Sequence, residues 1–192
     1  LSMDNERQNA EGIAPVLPVL AELDAVTDKD QWSAVLGKAM DYGLWAMYVD
    51  ADAMNSSINI LNEYQAGFAL SEKSYYFDQD EHTTHIRAEY LKHVEKMFTL
   101  FGIDNAEEKA QTVLRLETRL AGAALSNVEL RDPVANYNKM SIDELQVIVP
   151  QVDWAAYFAG LNIAPDSLSV GQVRHLQEAG KMLAEESIED MK

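Results

Sequence analysis

Ile86, Tyr90, Val94, Met97, Phe98 and Phe101 recur at i, i+4, i+8, i+11, i+12 and i+15. That spacing draws a single apolar stripe along a helix from about Thr84 to Phe101. A helix this long and this one-sided must bury its stripe against other helices, so the chain is expected to fold as helical layers. Gly102 ends the helix, and Asp104 with Glu107 reads as N-cap and N3 partner of the next, which should run to about Ser126.

The remaining punctuation is also helical. Asp4 to Glu11 stops at Gly12, and Pro15 and Pro18 open a second helix to about Ala25. Thr27-Asp28-Lys29-Asp30 has the form of a capping box before the spaced residues Trp32, Val35, Leu36 and Ala39. Ser141 with Glu144 forms another, and its helix is stopped by Pro150. Asp153 caps Trp154 to Leu161, and a last helix starts near Gly171. Only the stretch after Gly43 changes period. Trp45, Met47 and Val49 alternate with Ala46, Tyr48 and Asp50, and Ile58, Ile60 and Asn62 alternate beyond a polar turn. The expected fold is mostly α, about seven or eight helices with one small β-hairpin near residues 45–62. Residues 1–192 should form a single helical domain.

Composition narrows the function. The 192 residues are 47% hydrophobic, which is too apolar for a disordered chain. They carry 15 Lys+Arg against 32 Asp+Glu, a formal net charge of -17. Phosphate backbones and anionic membrane surfaces both demand clustered cations, so neither nucleic acid nor a membrane is an expected partner. No stretch approaches the roughly 18 apolar residues that span a bilayer. The absence of cysteine removes thiolate nucleophiles, disulfides and thiolate metal sites. The polar start, Leu1 to Arg7, is no signal peptide. Because the chain opens on Leu rather than Met, it is expected to be a segment of a longer polypeptide, with any targeting signal outside it.

Few constellations carry chemistry. His82, His85, Glu89 and His93 share one flank of the long helix, where imidazoles and a carboxylate have the donor types of a divalent-cation site. No second helix supplies a completing ligand, so the flank is expected to be solvated and the chain to have no metal site. His175 stands alone and is expected at the surface. His82-Thr83-Thr84-His85 lacks the spacing and the glutamate of His-Glu-x-x-His. A Gly-x-Ser-x-Gly elbow, a phosphate-cradling glycine loop and a dinucleotide fingerprint are likewise missing from the sequence. Glu117 is less ordinary. It falls within the stripe Ala110, Val113, Leu114, Leu120, Ala121 and Ala124, where a carboxylate is costly unless paired. The expected role is a structural ion pair, with Arg131 the first candidate partner and Lys139 the second. The alternative is a general acid with a raised pKa. Tyr75-Tyr76-Phe77, Trp154 with Tyr157-Phe158, and Trp45 with Tyr48 are expected in the core rather than lining a peptide groove.

The order of several short motifs adds a family. Asn62-Glu63-Tyr64-Gln65-Ala66-Gly67-Phe68-Ala69-Leu70 with Tyr75-Tyr76 resembles the Gln-x-Gly-Leu-x-Leu-Pro…Tyr-Tyr segment of neprilysin-like zinc metalloendopeptidases. Glu117-Thr118-Arg119-Leu120-Ala121 resembles that family's Glu-Thr-x-Leu-Ala helix. Arg131-Asp132, Tyr137-Asn138-Lys139-Met140-Ser141, Glu144-Leu145 and Pro150-x-x-Asp153-Trp154-x-x-Tyr157 continue the match in order. Ser71 stands where the family's usual proline does.

The resemblance implies a helical N-terminal lobe that covers the chamber of a zinc peptidase. Zinc and its ligands would belong to the parent's catalytic lobe, and no catalytic, metal or known substrate-binding residue carries over to this chain. Its implied partners are the catalytic lobe of the same polypeptide and peptide substrates. The lack of cysteine is more similar to bacterial members, and export is typical of the family. Two other readings compete: an independent all-α protein-interaction module, and metal storage along the histidine flank.

Overall fold

The computed structural model describes residues 4–38 and 43–192. Ala39 of the third helical stripe, and Leu1 to Met3 of the polar start, lie outside the described residues. Two short helices come first, α1 (Asn5–Glu11) and α2 (Leu17–Asp24), the latter with Pro18 in its first turn. A 3-10 turn (Lys29–Gln31) leads into α3 (Trp32–Lys38). Its cap is Asp28 rather than Thr27. The Asp28 carboxylate accepts from the amide of Asp30, and Gln31 reaches back to the Asp28 amide.

The expected hairpin is present as β1 (Trp45–Asp52) and β2 (Asn55–Gln65), antiparallel from Trp45 opposite Gln65 to Ala51 opposite Asn59. After α4 (Ser74–Phe77) comes the long helix α5 (Glu81–Leu100). It starts at Glu81 rather than Thr84 because Asp80 caps it, accepting from the Thr83 amide at 3.0 Å. Helix α6 (Ala106–Ala123) starts beyond Asn105, which adopts a left-handed conformation (φ 57°) with no side-chain cap. The turn therefore uses a residue tolerant of positive φ rather than the Asp104 cap read from the sequence.

A second 3-10 turn (Glu129–Arg131) precedes β3 (Lys139–Ser141), α7 (Ile142–Ile148) and α8 (Trp154–Gly160). Ser141 and Glu144 form the expected capping box, and Asp153 caps α8 through the Ala156 amide. Then follow β4 (Ser167–Val170), α9 (Val173–Glu185) and α10 (Ile188–Met191). The described residues thus hold ten helices and a small sheet, mostly α as expected.

The sheet is larger than a hairpin. Its order is β1-β2-β4-β3, with β2 and β4 parallel and β3 antiparallel to β4. The helices from α4 to α8 form the crossover that a parallel pair requires. Trp45 and Met47 of β1, Leu61 of β2 and Leu168 and Val170 of β4 join one buried cluster with Trp154, Tyr157 and Phe158 of α8. The Trp45–Trp154 and Trp45–Tyr157 ring centroids are each 5.5 Å apart, and Trp45 donates its indole N–H to the Tyr157 hydroxyl at 3.0 Å. These aromatics are core, not a groove, whereas Tyr48 and Phe77, expected in the core with them, are exposed. Leu176, Ala179, Met182 and Leu183 bring α9 onto the same core.

Helix α5 is thinly covered for its length. Of its residues only Thr83 is buried, and the stripe from Ile86 to Phe98 is half-covered by α6 and α4. Leu100, at its end, is 63% exposed.

Candidate functional site

Helices α4, α5 and α6 meet at Glu117. Its Oε1 accepts from the Tyr90 hydroxyl at 2.7 Å and its Oε2 from the Tyr76 hydroxyl at 2.8 Å. The Leu70 amide donates to the same Tyr76 oxygen at 3.0 Å. Burial pushes the Glu117 carboxyl up, and the two phenol hydrogen bonds oppose it by favouring the anion. The expected pair with Arg131 is not formed: Arg131 lies in the second 3-10 turn and is exposed. The chain leaves α6 in an extended conformation at Ala124, which carries Arg131 away from a carboxylate that faces α4 and α5. Tyrosine hydroxyls take the place of the cation. Each oxygen accepts one phenol hydrogen bond, so the carboxylate joins α6 to α4 and α5.

Lys139, the second candidate for Glu117, serves a different carboxylate. Asp52, at the tip end of β1, accepts from Lys139 Nζ at 2.8 Å, from the Tyr137 hydroxyl at 2.8 Å and from the Met54 amide at 2.9 Å. These donors hold the Asp52 carboxyl down to about 2, with the Lys139 hydrogen bond the largest cause. Asp52 is only 1% exposed although it sits on a thin hairpin tip, where bulk solvent lies a few atoms away.

A third cluster faces the opposite side of α6. The Arg119 guanidinium donates to Glu178 at 2.6 Å, Glu185 at 2.5 Å and Glu186 at 2.8 Å, and Arg115 reaches Glu186 at 2.8 Å. This fan of charge-assisted bonds clamps α6 to α9.

The histidines divide. His82, His85 and His93 are exposed on α5, and Glu89 between them bonds to Lys92 at 2.7 Å. Among the described residues, no group of three or more His, Cys, Asp or Glu side chains is placed to hold a metal ion. His175 is not at the surface as expected. It is fully buried, its Nε2 lies 2.9 Å from the Ala66 carbonyl, and burial pushes it down to about 4. It is therefore a neutral core imidazole at physiological pH.

The motif residues have structural work. Gln65 clasps the backbone of Leu125, accepting from its amide at 2.7 Å and donating to its carbonyl at 3.0 Å. Gly67 has φ 79°, and a Cβ there would sit 2.9 Å from Leu44 Cα. Asn138 donates to the Val170 carbonyl at 2.9 Å, extending the β3–β4 pairing. Sequence reading missed Asp52, Glu63 and Arg119. Only Arg119 had a usable signal, as a cation placed within a helix opposite an acidic run.

A cavity of about 390 Å³ opens between α2, α3 and the end of the chain, lined by Val19, Leu20, Leu23, Trp32, Leu36 and Met191 among others. Its walls are mostly aliphatic and aromatic, with Lys192 among them, so it offers burial to an apolar group.

Comparison with known proteins agrees with this framework. The family model described as peptidase family M13 matches residues 1–192. Endothelin-converting enzyme-like 1 of Mus musculus is 36% identical over 113 residues, 58% of this chain and 15% of that protein. The zinc metalloprotease ZMP1 of Mycobacterium tuberculosis, solved in complex with inhibitor, superposes with a TM-score of 0.90 at 28% identity. That match covers 98% of this chain and 30% of the other. PepO from Lactobacillus rhamnosis shares the fold, with a TM-score of 0.75 at 21% identity over 94% of this chain and 32% of its own. The chain therefore spans less than a third of the length of the solved proteins it matches. It belongs to peptidase family M13, as the N-terminal lobe of a neprilysin-like peptidase.

Proposed function

We propose that this chain is the helical, non-catalytic cover over the substrate chamber of a zinc metalloendopeptidase that cleaves peptides. The observation that carries the reading is coverage. The family match takes in residues 1–192, yet the chain accounts for 30% of the solved mycobacterial zinc metalloprotease. The half-covered stripe of α5, with Met97 and the neighbouring Leu100 exposed, supports it, since an apolar surface of that kind belongs against another element. In this reading the catalytic lobe of the same polypeptide would hold zinc, which would supply Lewis-acid chemistry there. The residues of this chain bind none of the reacting atoms. They shape the chamber, exclude bulk water and restrict access to flexible peptides. The clamps at Glu117, Asp52 and Arg119 suit that role by keeping the cover stiff. Export from the cell fits the same assignment. Among the described residues no helix is long and apolar enough to cross a membrane.

The encoding reading frame tests the proposal. A His-Glu-x-x-His downstream of Lys192 is expected, and a stop codon close after Lys192 sinks the peptidase reading in favour of an independent interaction module. On the purified chain, a fluorogenic peptide should remain uncut; turnover abolished by a chelator would contradict the non-catalytic assignment.

A further inference from the structure

One buried acid is used by none of these clamps. Glu63 shares the core face of β2 with Leu61 and Gln65, opposite Met47 across the antiparallel pair and Val170 across the parallel one. It is 1% exposed. Gln65 on the same face has both ends of its amide bonded, whereas neither carboxyl oxygen of Glu63 has a hydrogen-bond partner. Native folds rarely leave a buried side chain in that state, and an ionised carboxylate there has no compensation.

The groups around it give little relief. From α8 comes the Tyr157 hydroxyl, which accepts from the Trp45 indole and makes no hydrogen bond to either Glu63 carboxyl oxygen. Strand β1 presents Met47, with Tyr48 beside it on the other face; the Tyr48 phenol is kept protonated by burial first, then by Asp50, Tyr64 and Glu63. The β4–α9 turn brings the amides of Gly171 and Gln172. The first is bonded to the Glu63 carbonyl at 3.1 Å, and both favour the anion without being aligned to either carboxyl oxygen. From α9, His175 is neutral and bonded to Ala66, and Arg174 is exposed. Among the described residues no cation contributes to its charge state.

We propose that Glu63 is held as a neutral carboxylic acid and acts as a proton-dependent latch at the β2–β4 junction. Loss of its proton places an unpartnered anion between β1, β4 and α8 and loosens the one parallel pairing that ties the hairpin to α9. Burial pushes Glu63 up from 4.5 to about 8. The folded chain therefore keeps a proton that the unfolded chain releases. Stability contributed by the protonated acid is complete below about pH 4.5, declines as pH rises, and is gone once pH passes about 8. Within that window each pH unit raises the unfolding constant by up to about tenfold.

The experiment compares the full chain with Glu63→Gln by thermal unfolding from pH 5 to pH 9, following tryptophan emission, since Trp45 shares the sheet face. The unaltered chain should lose stability across this range relative to the variant, and its native-state emission should shift between pH 7 and pH 9, a change absent from Glu63→Gln. Parallel pH profiles for the two proteins would overturn the proposal. Should Glu63→Gln not fold, carbon-13 NMR of the glutamate carboxyls in the unaltered chain decides. One resonance titrating near pH 8 supports the latch, and all of them titrating in the ordinary carboxylate range refutes it.

Discussion

Tyr90 and Glu117 are joined by a 2.7 Å hydrogen bond that runs from the centre of α5 to the centre of α6. The contact explains how the fold tolerates a carboxylate on an apolar stripe. Two phenols supply donors without adding charge, and their rings supply the apolar surface that the stripe requires. The same contact ties down the long helix α5, of which only Thr83 is buried.

Removal of the Tyr90 hydroxyl should therefore be felt. Tyr90→Phe keeps the ring and leaves Glu117 Oε1 without its donor, so a loss of about 1–2 kcal/mol is expected in chemical denaturation. In a double-mutant cycle with Glu117→Gln, the two changes should be non-additive. Additive losses would show that the hydroxyl contributes through some other contact. Tyr76→Phe is a less clean probe, because Tyr76 also accepts from the Leu70 amide.

The Arg119 fan predicts a salt effect. Arg119 is 24% exposed and its partners Glu178 and Glu186 are 23% and 12% exposed, so these pairs are only partly screened by water. Arg119→Met keeps the packing of the stem and leaves three carboxylates without their shared cation. A loss of about 1–2 kcal/mol is expected at low ionic strength. Raising salt to about 1 M should narrow the difference between the two proteins, because the remaining carboxylate repulsion is screened while the native clamp weakens. A difference independent of salt would assign the role of Arg119 to packing.

Much of this framework was legible in the sequence, and what was legible is local. Ser141 with Glu144 and the Asp153 cap lie within three residues of the amides they satisfy, so their chemistry is written in consecutive letters. The hairpin was visible because β1 and β2 are long enough for alternation to repeat. Strands β3 (3 residues) and β4 (4 residues) are too short to show any period, and they rest on distant partners, β4 parallel on β2 and β3 antiparallel on β4. Asp52 and Lys139 are 87 positions apart, and no local pattern connects them. Glu117 was legible as a residue in need of a partner, but the partner's identity depends on which helices pack against α6. His175 is a different kind of miss. It shares the α9 face of Ala179 and Met182, so its helical phase already pointed to the core.

The Asp52 cluster predicts behaviour in acid. A carboxyl held down to about 2 is favoured as the anion in the folded chain. Its contribution is complete above the unfolded value of 3.8, and it is lost as pH falls from there through about 2. Asp52→Asn should flatten the acid limb of the stability profile between about pH 4 and pH 2, measured by urea denaturation, while lowering stability at neutral pH. An unchanged acid limb would place the titrating group elsewhere.

The tightest helix contact gives the last prediction. Helices α3 and α8 cross at two glycines: a Cβ on Gly37 would lie 2.2 Å from the Tyr157 carbonyl oxygen, and one on Gly160 would lie 3.0 Å from the Ala34 carbonyl oxygen. Both obstacles are backbone, so a methyl group at Gly37 must push the helices apart and disturb the Trp154–Tyr157 core behind them. Gly37→Ala should cost about 1–3 kcal/mol, the range of an overpacked site, even though alanine favours the helix by up to about 1 kcal/mol. Gly122, in the last turn of α6, is the control. The nearest atom to its added Cβ is Phe77 Cζ at 3.6 Å, an ordinary contact. Gly122→Ala should therefore stabilise by a few tenths to about 1 kcal/mol. Opposite signs for the two substitutions in one denaturation series are the expected result. Equal effects would mean that the α3–α8 crossing is looser in solution than its backbone separation indicates.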